Sequence, residues 1–558
     1  MNSRHFKFWP KAVPHHLTIP NTHLFANAEI SAARYPDKPY LVFYDRALSF
    51  GEFKRQAEAI AGFLQQRCGV QMGDRVLLDM QNCPQFALAY YGILRAGAIV
   101  VPINPMNLTE ELAHYGADSG ATVAFTGQEL FAQMRPLLGE FLGHIIVAAY
   151  SDYISPEARI TVPPFAAAPR ESLAEPGVTL WADMLAQELA PAPLTTGPDD
   201  LCVMPYTSGT TGKPKGCMHT HRSVMCTLVG GAEWLRMPKD TVALAVLPFF
   251  HVTAMQGAMN GALYNGNTVV VLPRWDRDAA AECVQRYKVG TWQAIAPMVV
   301  DFLMNPRIGE YDLSSVWNMS GGGAAMPEAV AQKLLDLCGI TYIEGYGMTE
   351  TMAPTHVNPV QRPKQQCLGV PIFDVDARVI DPRTLRELPP DEVGEIIVDG
   401  PQVMQSYWRQ PKATEEAFIV LDGRRFLRTG DLGRVDEDGY FFMVDRLKRM
   451  INASGYKVWP AEVEAMMYRH PEIAEACVVG ALDHKRGETV KAYVVLKPDA
   501  RGRVSEQAII DWAHAQMASY KSPRIVEFVD SLPKSGTGKV QWRALQEREA
   551  ALRPKATV

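Results

Sequence analysis

Apolar runs of strand length alternate with helix-length amphipathic stretches near the start of the chain. The strand-length runs are 40–44, 75–79 and 99–102, and the amphipathic stretches are 49–67 and 83–96. Such alternation predicts parallel strands joined by crossover helices. The first part of the chain is therefore expected to form an α/β unit.

The same alternation returns between residues 240 and 335. Strands are predicted in VALAVLPF, NTVVVLP and TWQAIAP, and helices over 276–287 and 326–338. Residues 151–200 hold eight of the 40 Pro and show no sustained period, which indicates a surface excursion or a linker between two α/β halves.

Beyond residue 370 the pattern changes to short strands separated by turn signals. Asp422-Gly423 and Asp438-Gly439 mark two of these turns, as in a small sheet or barrel. A final α+β unit is expected from about residue 446, with helices over 461–469 and 505–518 and strands over 475–480 and 490–496.

Composition restricts the function classes. The 558 residues exceed what one hydrophobic core normally supports, and a net charge of -6 without a Lys/Arg block argues against a nucleic-acid partner. The nine Cys are scattered and are expected to be reduced. No apolar leader or bilayer-length apolar run is visible, so a cytoplasmic location is expected, with homodimerisation left open.

The segment YTSGTTGKPKG, residues 206–216, has the character of a phosphate-binding loop. Its Gly residues permit close backbone approach, its hydroxyls donate hydrogen bonds, and its two Lys add positive charge. Lys213 is followed by Pro214, so the loop differs from a P-loop, which leads directly into a helix. A nucleotide triphosphate or its pyrophosphate is the expected ligand.

Five further segments carry similar chemistry. They combine Gly-rich turns with hydroxyl, carboxylate or basic groups, and they are GGGAAMPE (321–328), EGYGMTET (344–351), RTGD (428–431), DRLKRMINASGYKVWPAEVE (445–464) and PKSGTGKVQWR (533–543). In this order the six segments resemble the adenylate-forming superfamily of acyl-CoA synthetases, peptide-synthetase adenylation domains and luciferases.

The resemblance implies a fold and a reaction. The implied fold is α/β, with a large N-terminal domain (1–445) of two doubly wound subdomains plus a distorted β-barrel, and a small α+β C-terminal lid (446–558). The implied reaction joins a carboxylic acid and ATP into an acyl-adenylate with release of pyrophosphate, after which a thiol displaces AMP. ATP, Mg²⁺ and coenzyme A are the implied cofactors and co-substrates, beside a small carboxylic acid.

The resemblance also implies roles for individual residues. The β- and γ-phosphates are assigned to Thr207, Ser208, Gly209, Thr210, Thr211 and Lys215, and the α-phosphate to Thr349. Tyr346 stacks on adenine between Glu344 and Gly323, Asp431 and Arg446 hold the ribose, Lys457 joins the nucleotide site, and Glu350 binds Mg²⁺. In the lid, Lys539 bridges the carboxylate and the α-phosphate, Lys448 is the hinge, and Ser454, Gly455 and Tyr456 line the coenzyme A tunnel.

Residues 247–266 match the segment that walls the acyl pocket in this family. His251 follows Phe250 where amino-acid-activating members have Asp, so an ammonium-bearing substrate would lack a counter-ion. The expected lining is apolar and contains Met, which suits alkyl chains; it comprises Phe250, His251, Met255, Ala258, Met259, Pro297, Met298, Val299, Phe302, Ala324, Ala325 and Ala353. Met255 stands where some long-chain members place a gating Trp, so aryl, hydroxycinnamic and thioether-containing acids stay open beside medium- and long-chain fatty acids.

Other interpretations of these patterns remain. Cys217, His219 and His221 would share one face of a strand and could bind zinc, and His114 with Asp118 fits an H-x-x-x-D acyltransferase pattern. The alternative functions from other classes are an ATPase or kinase and a catalytically silent nucleotide-binding homologue. Silent members usually lose the Lys or the Glu, and both Lys539 and Glu350 are present here.

Overall fold

The computed structural model describes residues 4–207, 214–323, 326–453, 456–483, 487–534 and 539–551, without the side chains of 448, 452, 456, 457 and 487. The chain forms two compact units. The first comprises 1–377, 398–427 and 438–440, and the second comprises 378–397, 428–437 and 441–558.

Two large sheets form the framework of the first unit. In spatial order, the nine-stranded sheet contains Val370–Pro371, Ala353–Val357, Tyr342–Met348, Asn318–Gly322, Thr291–Gln293, Val242–Ala245, Thr268–Val271, Pro39–Phe43 and Arg46–Ser49. The seven-stranded sheet contains His219–Thr220, Leu201–Val203, Ile99–Pro102, Arg75–Asp79, Val123–Gly127, His144–Ala148 and Val178–Leu180. The inner strands of both sheets are parallel and the edges include antiparallel pairs. Mixed sheets with crossover helices confirm the predicted α/β class.

Helices connect and cover these strands. The α-helices of the first unit are Phe25–Arg34, Phe50–Gln66, Pro84–Arg95, Thr109–Ser119, Phe131–Met134, Pro164–Ala167, Trp181–Leu185, His221–Leu235, Val252–Ala254, Gly261–Asn265, Arg277–Tyr287, Ala296–Leu303, Glu328–Cys338 and Pro411–Ala417. Shorter 3₁₀ helices include Arg4–Phe8, Arg135–Leu137, Tyr150–Tyr153, Ile308–Glu310 and Thr349–Thr351.

Local capping explains why the helices begin where they do. Ser49 accepts a hydrogen bond from the backbone N–H of Glu52 at 3.2 Å, and the Glu52 carboxylate accepts one from Ser49 N at 3.0 Å. This reciprocal arrangement satisfies two backbone donors that a helix N-terminus leaves unpaired. Asp276 caps the helix Arg277–Tyr287 through the N–H groups of Asp278 and Ala279. The predicted helix starts at 49 and 276 therefore coincide with the capping residues.

Of the two alternatives for 151–200, the structure supports the surface excursion and not the linker between two α/β halves. Strand Val178–Leu180 lies within this segment and pairs in parallel with His144–Ala148. Strand Leu201–Val203, which follows the segment, belongs to the same seven-stranded sheet. The Pro-rich stretch is therefore an excursion within one sheet, and its short edge strand was too brief to produce a visible period.

The later β-rich segments form a five-stranded sheet, as predicted. Its strands are Asp376–Ile380, Gly394–Asp399, Arg424–Val435, Phe418–Leu421 and Phe441–Arg446. The turn between Phe418–Leu421 and Arg424–Val435 has positive φ at both Asp422 (51°) and Gly423 (74°). Two successive positive φ angles are typical of a tight hairpin turn, which Asp-Gly adopts readily.

The second unit contains a further five-stranded sheet. Its strands are Tyr456–Val458, Ile451–Ala453, Gly487–Leu496, Ile473–Asp483 and Ile525–Phe528, and its helices are Pro460–Met467, Glu506–Gln516 and Trp542–Ala551. The 3₁₀ helices Leu447–Arg449 and Pro498–Ala500 complete it. Ile451, Val463, Val478 and Ile509 lie in one apolar core, separate from the cores of the first unit. Among the described residues, no helix has both the length and the hydropathy needed to cross a membrane.

A buried acid ends the strand Arg75–Asp79. Asp79 is 2% exposed, Thr126 Oγ1 donates to its Oδ2 at 3.4 Å, and its Oδ1 has no hydrogen-bond partner among the described residues. Burial raises the pKa of Asp79 well above its usual value, and nearby Glu129 raises it further. The native state therefore holds a proton that the unfolded chain releases above about pH 4, so the free energy of unfolding falls as pH rises from there.

Asp79→Asn should accordingly stabilise the protein in alkaline solution. The neutral amide removes the cost of protonating Asp79 on folding, which grows as the pH rises above the unfolded-state pKa, and we expect a gain of about 1–3 kcal/mol at about pH 8 that shrinks at about pH 5. Thermal unfolding of both proteins at the two pH values measures this gain. The exposed Asp37→Asn serves as the matched control and should change little at either pH. A destabilising effect of Asp79→Asn that is equal at both pH values would contradict the prediction.

Candidate active site

Four parallel strands bring the candidate residues of the first unit to one edge of the nine-stranded sheet. Val242–Ala245, Thr291–Gln293, Asn318–Gly322 and Tyr342–Met348 are neighbours in this order and run in the same direction. Their carboxyl ends lead, respectively, to the predicted acyl segment, to Met298, to Gly323 and to Thr349. Ligands bind at the carboxyl ends of strands in open α/β sheets. The structure thus gathers acyl and nucleotide candidates along one edge.

The base of the predicted phosphate loop is a two-stranded hairpin. Tyr206–Thr207 pairs antiparallel with Lys215–Gly216, and Thr207 lies opposite Lys215. A strand after Pro214 confirms that this segment differs from a P-loop, in which a helix would begin there. Ser208, Gly209, Thr210 and Thr211 lie outside the described residues, so their phosphate contacts stay predictions.

The His114 and Asp118 pair supports this hairpin. Tyr206 donates its hydroxyl to Asp118 Oδ2 at 2.6 Å. His114 Nε2 lies 3.1 Å from the carbonyl oxygen of Pro214, which only accepts hydrogen bonds, so Nε2 carries the proton. Helix Thr109–Ser119 therefore holds both ends of the loop. This contact explains the H-x-x-x-D spacing without an acyltransferase, and the sequence pattern had not indicated it.

Glu350, the predicted Mg²⁺ ligand, is held by a tyrosine that sequence reasoning missed. Its side chain is buried, and Tyr407 donates a hydrogen bond to its Oε1 at 2.8 Å. Burial and the neighbouring carboxylate raise the pKa of Tyr407, so the phenol keeps its proton and remains a donor. Lys215 Nζ lies 4.9 Å from the centre of the Tyr407 ring, a cation–π distance. Glu350 and the phosphate-loop lysine therefore share Tyr407 as a neighbour.

Tyr407 reaches this position because its segment pairs with the end of the phosphate hairpin. Trp408 N donates to Gly216 O at 2.8 Å, and Met218 N donates to Ser406 O at 3.0 Å. Met404 N donates to the backbone oxygen of Glu350 at 2.8 Å. The only signal in the sequence is an aromatic pair in a polar stretch, and it does not identify its partner.

The turn that carries Thr349 contacts His219. Thr349–Thr351 is a 3₁₀ helix at the end of strand Tyr342–Met348, and His219 Nε2 lies 2.8 Å from the carbonyl oxygen of Thr349. Burial lowers the pKa of His219 to about 4. The predicted α-phosphate contact of the Thr349 hydroxyl stays a prediction.

The structure does not support a zinc site at Cys217, His219 and His221. His221 is the first residue of helix His221–Leu235, so the three side chains do not share a strand face as expected. His221 Nδ1 accepts a hydrogen bond from Leu24 N at 3.1 Å, whereas His219 contacts the carbonyl oxygen of Thr349. The two rings therefore have different partners. Among the described residues, no group of three or more His, Cys, Asp or Glu is arranged to hold a metal.

The predicted adenine residues lie on neighbouring strands. Tyr346 is half-buried with its ring 5.6 Å from that of His356, and Gly323 directly follows the strand Asn318–Gly322 with φ of 84°. The Glu344 carboxylate accepts hydrogen bonds from Met326 N at 2.8 Å and from Cys367 N at 3.2 Å. Burial raises the pKa of Glu344. Glu344 thus holds the backbone at Met326 and Cys367, and its contact with adenine stays a prediction.

Two candidates of the second unit lie together. Asp431 and Arg446 are register partners on adjacent strands, and Arg446 Nε lies 3.1 Å from Asp431 Oδ1. Asp431 is buried, whereas Arg446 is half exposed. The Lys539 side chain is exposed; desolvation by the neighbouring groups lowers its pKa, Arg446 lowers it further, and Asp431 raises it. The role of Lys539 at the α-phosphate stays a prediction.

The predicted hinge and coenzyme A tunnel are only partly described. Ser454 and Gly455, and the side chains of Lys448, Tyr456 and Lys457, lie outside the described residues, so their roles stay predictions. The 3₁₀ turn Leu447–Arg449 contains the hinge position. Next to it, Arg449 forms an ion pair with Glu464 and donates to Val478 O at 3.1 Å.

The predicted acyl segment has a backbone that its pattern did not reveal. His251 caps the short helix Val252–Ala254, and Met255–Asn260 then forms a π-helix, a rare geometry that is frequent at functional sites. Gln256 donates to Thr227 Oγ1 at 2.7 Å, and Tyr91 donates to Asn260 Oδ1 at 2.9 Å, so buried polar bonds hold the wide turn.

Most of the predicted lining residues are apolar and enclosed, whereas Pro297 is exposed. Met255, Ala258, Met259, Val299, Phe302 and Ala353 are buried, and Phe250, His251 and Met298 are partly buried. Ala353 has φ of 66° and follows Met352 with φ of 46°, a left-handed pair next to the Thr349 turn. Ala324 and Ala325 lie outside the described residues.

The chain is similar to known proteins over nearly its whole length. Residues 28–408 match the family model of the AMP-binding enzymes, and residues 462–539 match that of the AMP-binding enzyme C-terminal domain. The chain is 36% identical over 553 residues to the long-chain-fatty-acid–CoA ligase of Bacillus subtilis (strain 168), covering 97% of each chain. It is 34% identical over 496 residues to feruloyl-CoA synthase of an Amycolatopsis species, covering 88% of this chain and 92% of that protein.

A solved structure extends the agreement to the fold. The anthranilate CoA ligase AuaEII in complex with anthranoyl-AMP has a TM-score of 0.82 and 26% identity, covering 96% of this chain and 99% of that chain. The comparisons support AMP-forming acyl-CoA ligation of the adenylate-forming type, with ATP and coenzyme A as co-substrates. With both family models matched and a relative aligned over nearly its whole length, the chain belongs to the AMP-binding enzyme family.

Proposed function

We propose that this protein converts a medium- or long-chain fatty acid to its acyl-CoA through an acyl-adenylate. The observation that carries the proposal is the acyl segment at the carboxyl edge of the sheet, where buried Met255, Ala258 and Met259 line a widened helical turn. Residues 246–265 contain no Asp or Glu to pair with an ammonium group. Each substrate methylene that is buried against such a lining contributes about 0.8 kcal/mol to binding. A pocket of this kind would therefore select acids by the length of their alkyl chain.

The remaining candidates supply the nucleotide chemistry. The hairpin residues Thr207 and Lys215 hold the terminal phosphates, Thr349 contacts the α-phosphate, and Lys539 balances the charge that develops there during attack by the carboxylate. Asp431 and Arg446 hold the ribose. The buried, tyrosine-oriented Glu350 fits Mg²⁺, which commonly binds one or two carboxylates together with substrate phosphates. Bound Mg²⁺ would neutralise phosphate charge.

A second candidate substrate is a hydroxycinnamic or other aryl acid. Gln293 lies at the same sheet edge with its carboxamide against Gly257 of the π-helix, and its Oε1 is buried without a hydrogen-bond partner among the described residues. A substrate hydroxyl would satisfy this acceptor. The similarity to feruloyl-CoA synthase supports the same candidate.

The fatty-acid proposal also includes a cytoplasmic location, Mg²⁺ dependence and a place in lipid metabolism.

A panel of acids tests both candidates. Saturated acids from butyrate to palmitate, with phenylacetate, coumarate and ferulate, are compared by carboxylate-dependent ATP–pyrophosphate exchange and by AMP release with coenzyme A. We expect kcat/KM to rise with alkyl length by about 4-fold per methylene until the pocket is filled. Highest kcat/KM for an aryl acid would replace the fatty-acid proposal with the second candidate. ADP release without an acid would indicate an ATPase or kinase, and no turnover would indicate a silent homologue.

A further inference from the structure

His219 is a fully buried side chain that connects two parts of the nucleotide site. It lies on strand His219–Thr220, directly beyond the hairpin that ends at Gly216, and its strand pairs with Leu201–Val203. Its Nε2 reaches the carbonyl oxygen of Thr349, which is 130 residues away in the chain, at 2.8 Å. One side chain therefore joins the base of the phosphate hairpin to the turn that presents Thr349 and Glu350.

The direction of this hydrogen bond follows from the acceptor. A carbonyl oxygen only accepts, so Nε2 of His219 must carry the proton. Burial lowers the pKa of His219 to about 4, which leaves the ring neutral and its Nδ1 without a proton. Nδ1 is buried and has no hydrogen-bond partner among the described residues. Within the described part of the chain, the hydrogen bond to the Thr349 oxygen is therefore the polar contact that holds this buried ring.

The turn that His219 holds requires support from outside. After the 3₁₀ helix Thr349–Thr351, Met352 and Ala353 both adopt left-handed φ angles, of 46° and 66°. A non-Gly residue in such a conformation is strained and persists only when its surroundings impose it. Three bonds from elsewhere do so: His219 to the Thr349 oxygen, Met404 N to the Glu350 oxygen, and the Tyr407 hydroxyl to the Glu350 carboxylate.

We propose that His219 is a positioning residue for adenylation, which holds the Thr349 carbonyl so that the Thr349 hydroxyl and the Glu350 carboxylate face the nucleotide in a fixed orientation. The inference rests on the proposed function, because it assigns the turn to the α-phosphate. His219 acts through the turn and touches neither substrate. Its loss should therefore lower the rate of the first half-reaction and leave the second, which uses an acyl-adenylate already made, largely intact.

The test compares His219→Leu with His219→Gln and His219→Asn in the full chain. Removing the donor should reduce kcat for pyrophosphate exchange by about 10- to 100-fold, as loss of an orienting partner commonly does. Gln places its amide nitrogen near the Nε2 position and should restore most of the rate, whereas Asn is too short and should not. Thioester formation from supplied acyl-adenylate should stay near the wild-type rate in all three variants.

His221→Leu is the matched control. His221 is equally buried, and its Nδ1 accepts a hydrogen bond from Leu24 N at 3.1 Å, so its loss removes a comparable bond that does not involve the turn. This variant should lower the unfolding temperature without separating the two half-reactions. Equal loss of both half-reactions in His219→Leu, no rescue by Gln, or the same selective defect in His221→Leu would overturn the inference.

Failure of the proposed function gives a different result. A wild-type protein that shows no exchange with any acid of the panel would overturn both the function and the role of His219. Wild-type exchange that persists undiminished in His219→Leu would overturn the role of His219 alone.

Discussion

Lys539→Ala is expected to reduce acyl-adenylate formation by about 10²- to 10³-fold while thioester formation from a supplied acyl-adenylate continues. The first half-reaction brings two anions together while negative charge builds on the α-phosphate. An ammonium about 4 Å from such a charge in a partly shielded site contributes roughly 4 kcal/mol. The second half-reaction displaces AMP from an already activated carbonyl and does not need this cation in the same place.

The groups around Lys539 shift its pKa in opposite directions. Desolvation and Arg446 lower the pKa, whereas Asp431 raises it. Lys534→Ala is the matched control, because Lys534 lies on the same segment but pairs at the surface with Glu475 at 2.8 Å. Surface ion pairs contribute about 0–1 kcal/mol, so the control should retain both half-reactions. An unchanged pyrophosphate exchange rate in Lys539→Ala would contradict the assignment.

Much of the fold was accessible from the pattern of apolar residues. Strands Arg75–Asp79 and Ile99–Pro102 were predicted with the bounds that they have, and the helix before them begins at its predicted cap, Ser49. The two strands are short runs of mainly apolar residues, and the helix is long, with a capping residue at its start. The strand Val178–Leu180 was missed because three residues produce no period, and it obtains its structure from pairing with His144–Ala148.

The sequence indicates candidate segments of the site where the chemistry is local. Gly, hydroxyl and charged groups occur together in consecutive residues around Thr207 and Thr349, so these segments could be selected from the sequence, whereas the hairpin and the 3₁₀ turn that they form were not predicted. Tyr407 and His219 were not assigned to this site, since their partners lie 57 and 130 residues away and the contacts depend on tertiary packing. The π-helix Met255–Asn260 was also missed, because a single wide turn leaves no distinct hydrophobic period.

Glu350→Gln is the second change with a large expected effect. The amide keeps the shape of the side chain and its contact with the Tyr407 hydroxyl, but it removes the negative charge that a hard cation requires. We expect adenylation to fall by about 10²- to 10³-fold and the Mg²⁺ concentration for half-maximal rate to rise. Binding of a fluorescent ATP analogue, titrated with Mg²⁺, gives a second measurement that does not depend on turnover.

Tyr407→Phe separates the charge of Glu350 from its orientation. This variant removes only the hydroxyl that donates to Oε1 at 2.8 Å and keeps the ring over which Lys215 lies. Because the carboxylate charge remains, the rate should fall by only about 10-fold, with Mg²⁺ dependence retained. If Glu350→Gln left the Mg²⁺ dependence unchanged, or if Tyr407→Phe were as damaging as Glu350→Gln, the carboxylate would not be the group that binds the cation.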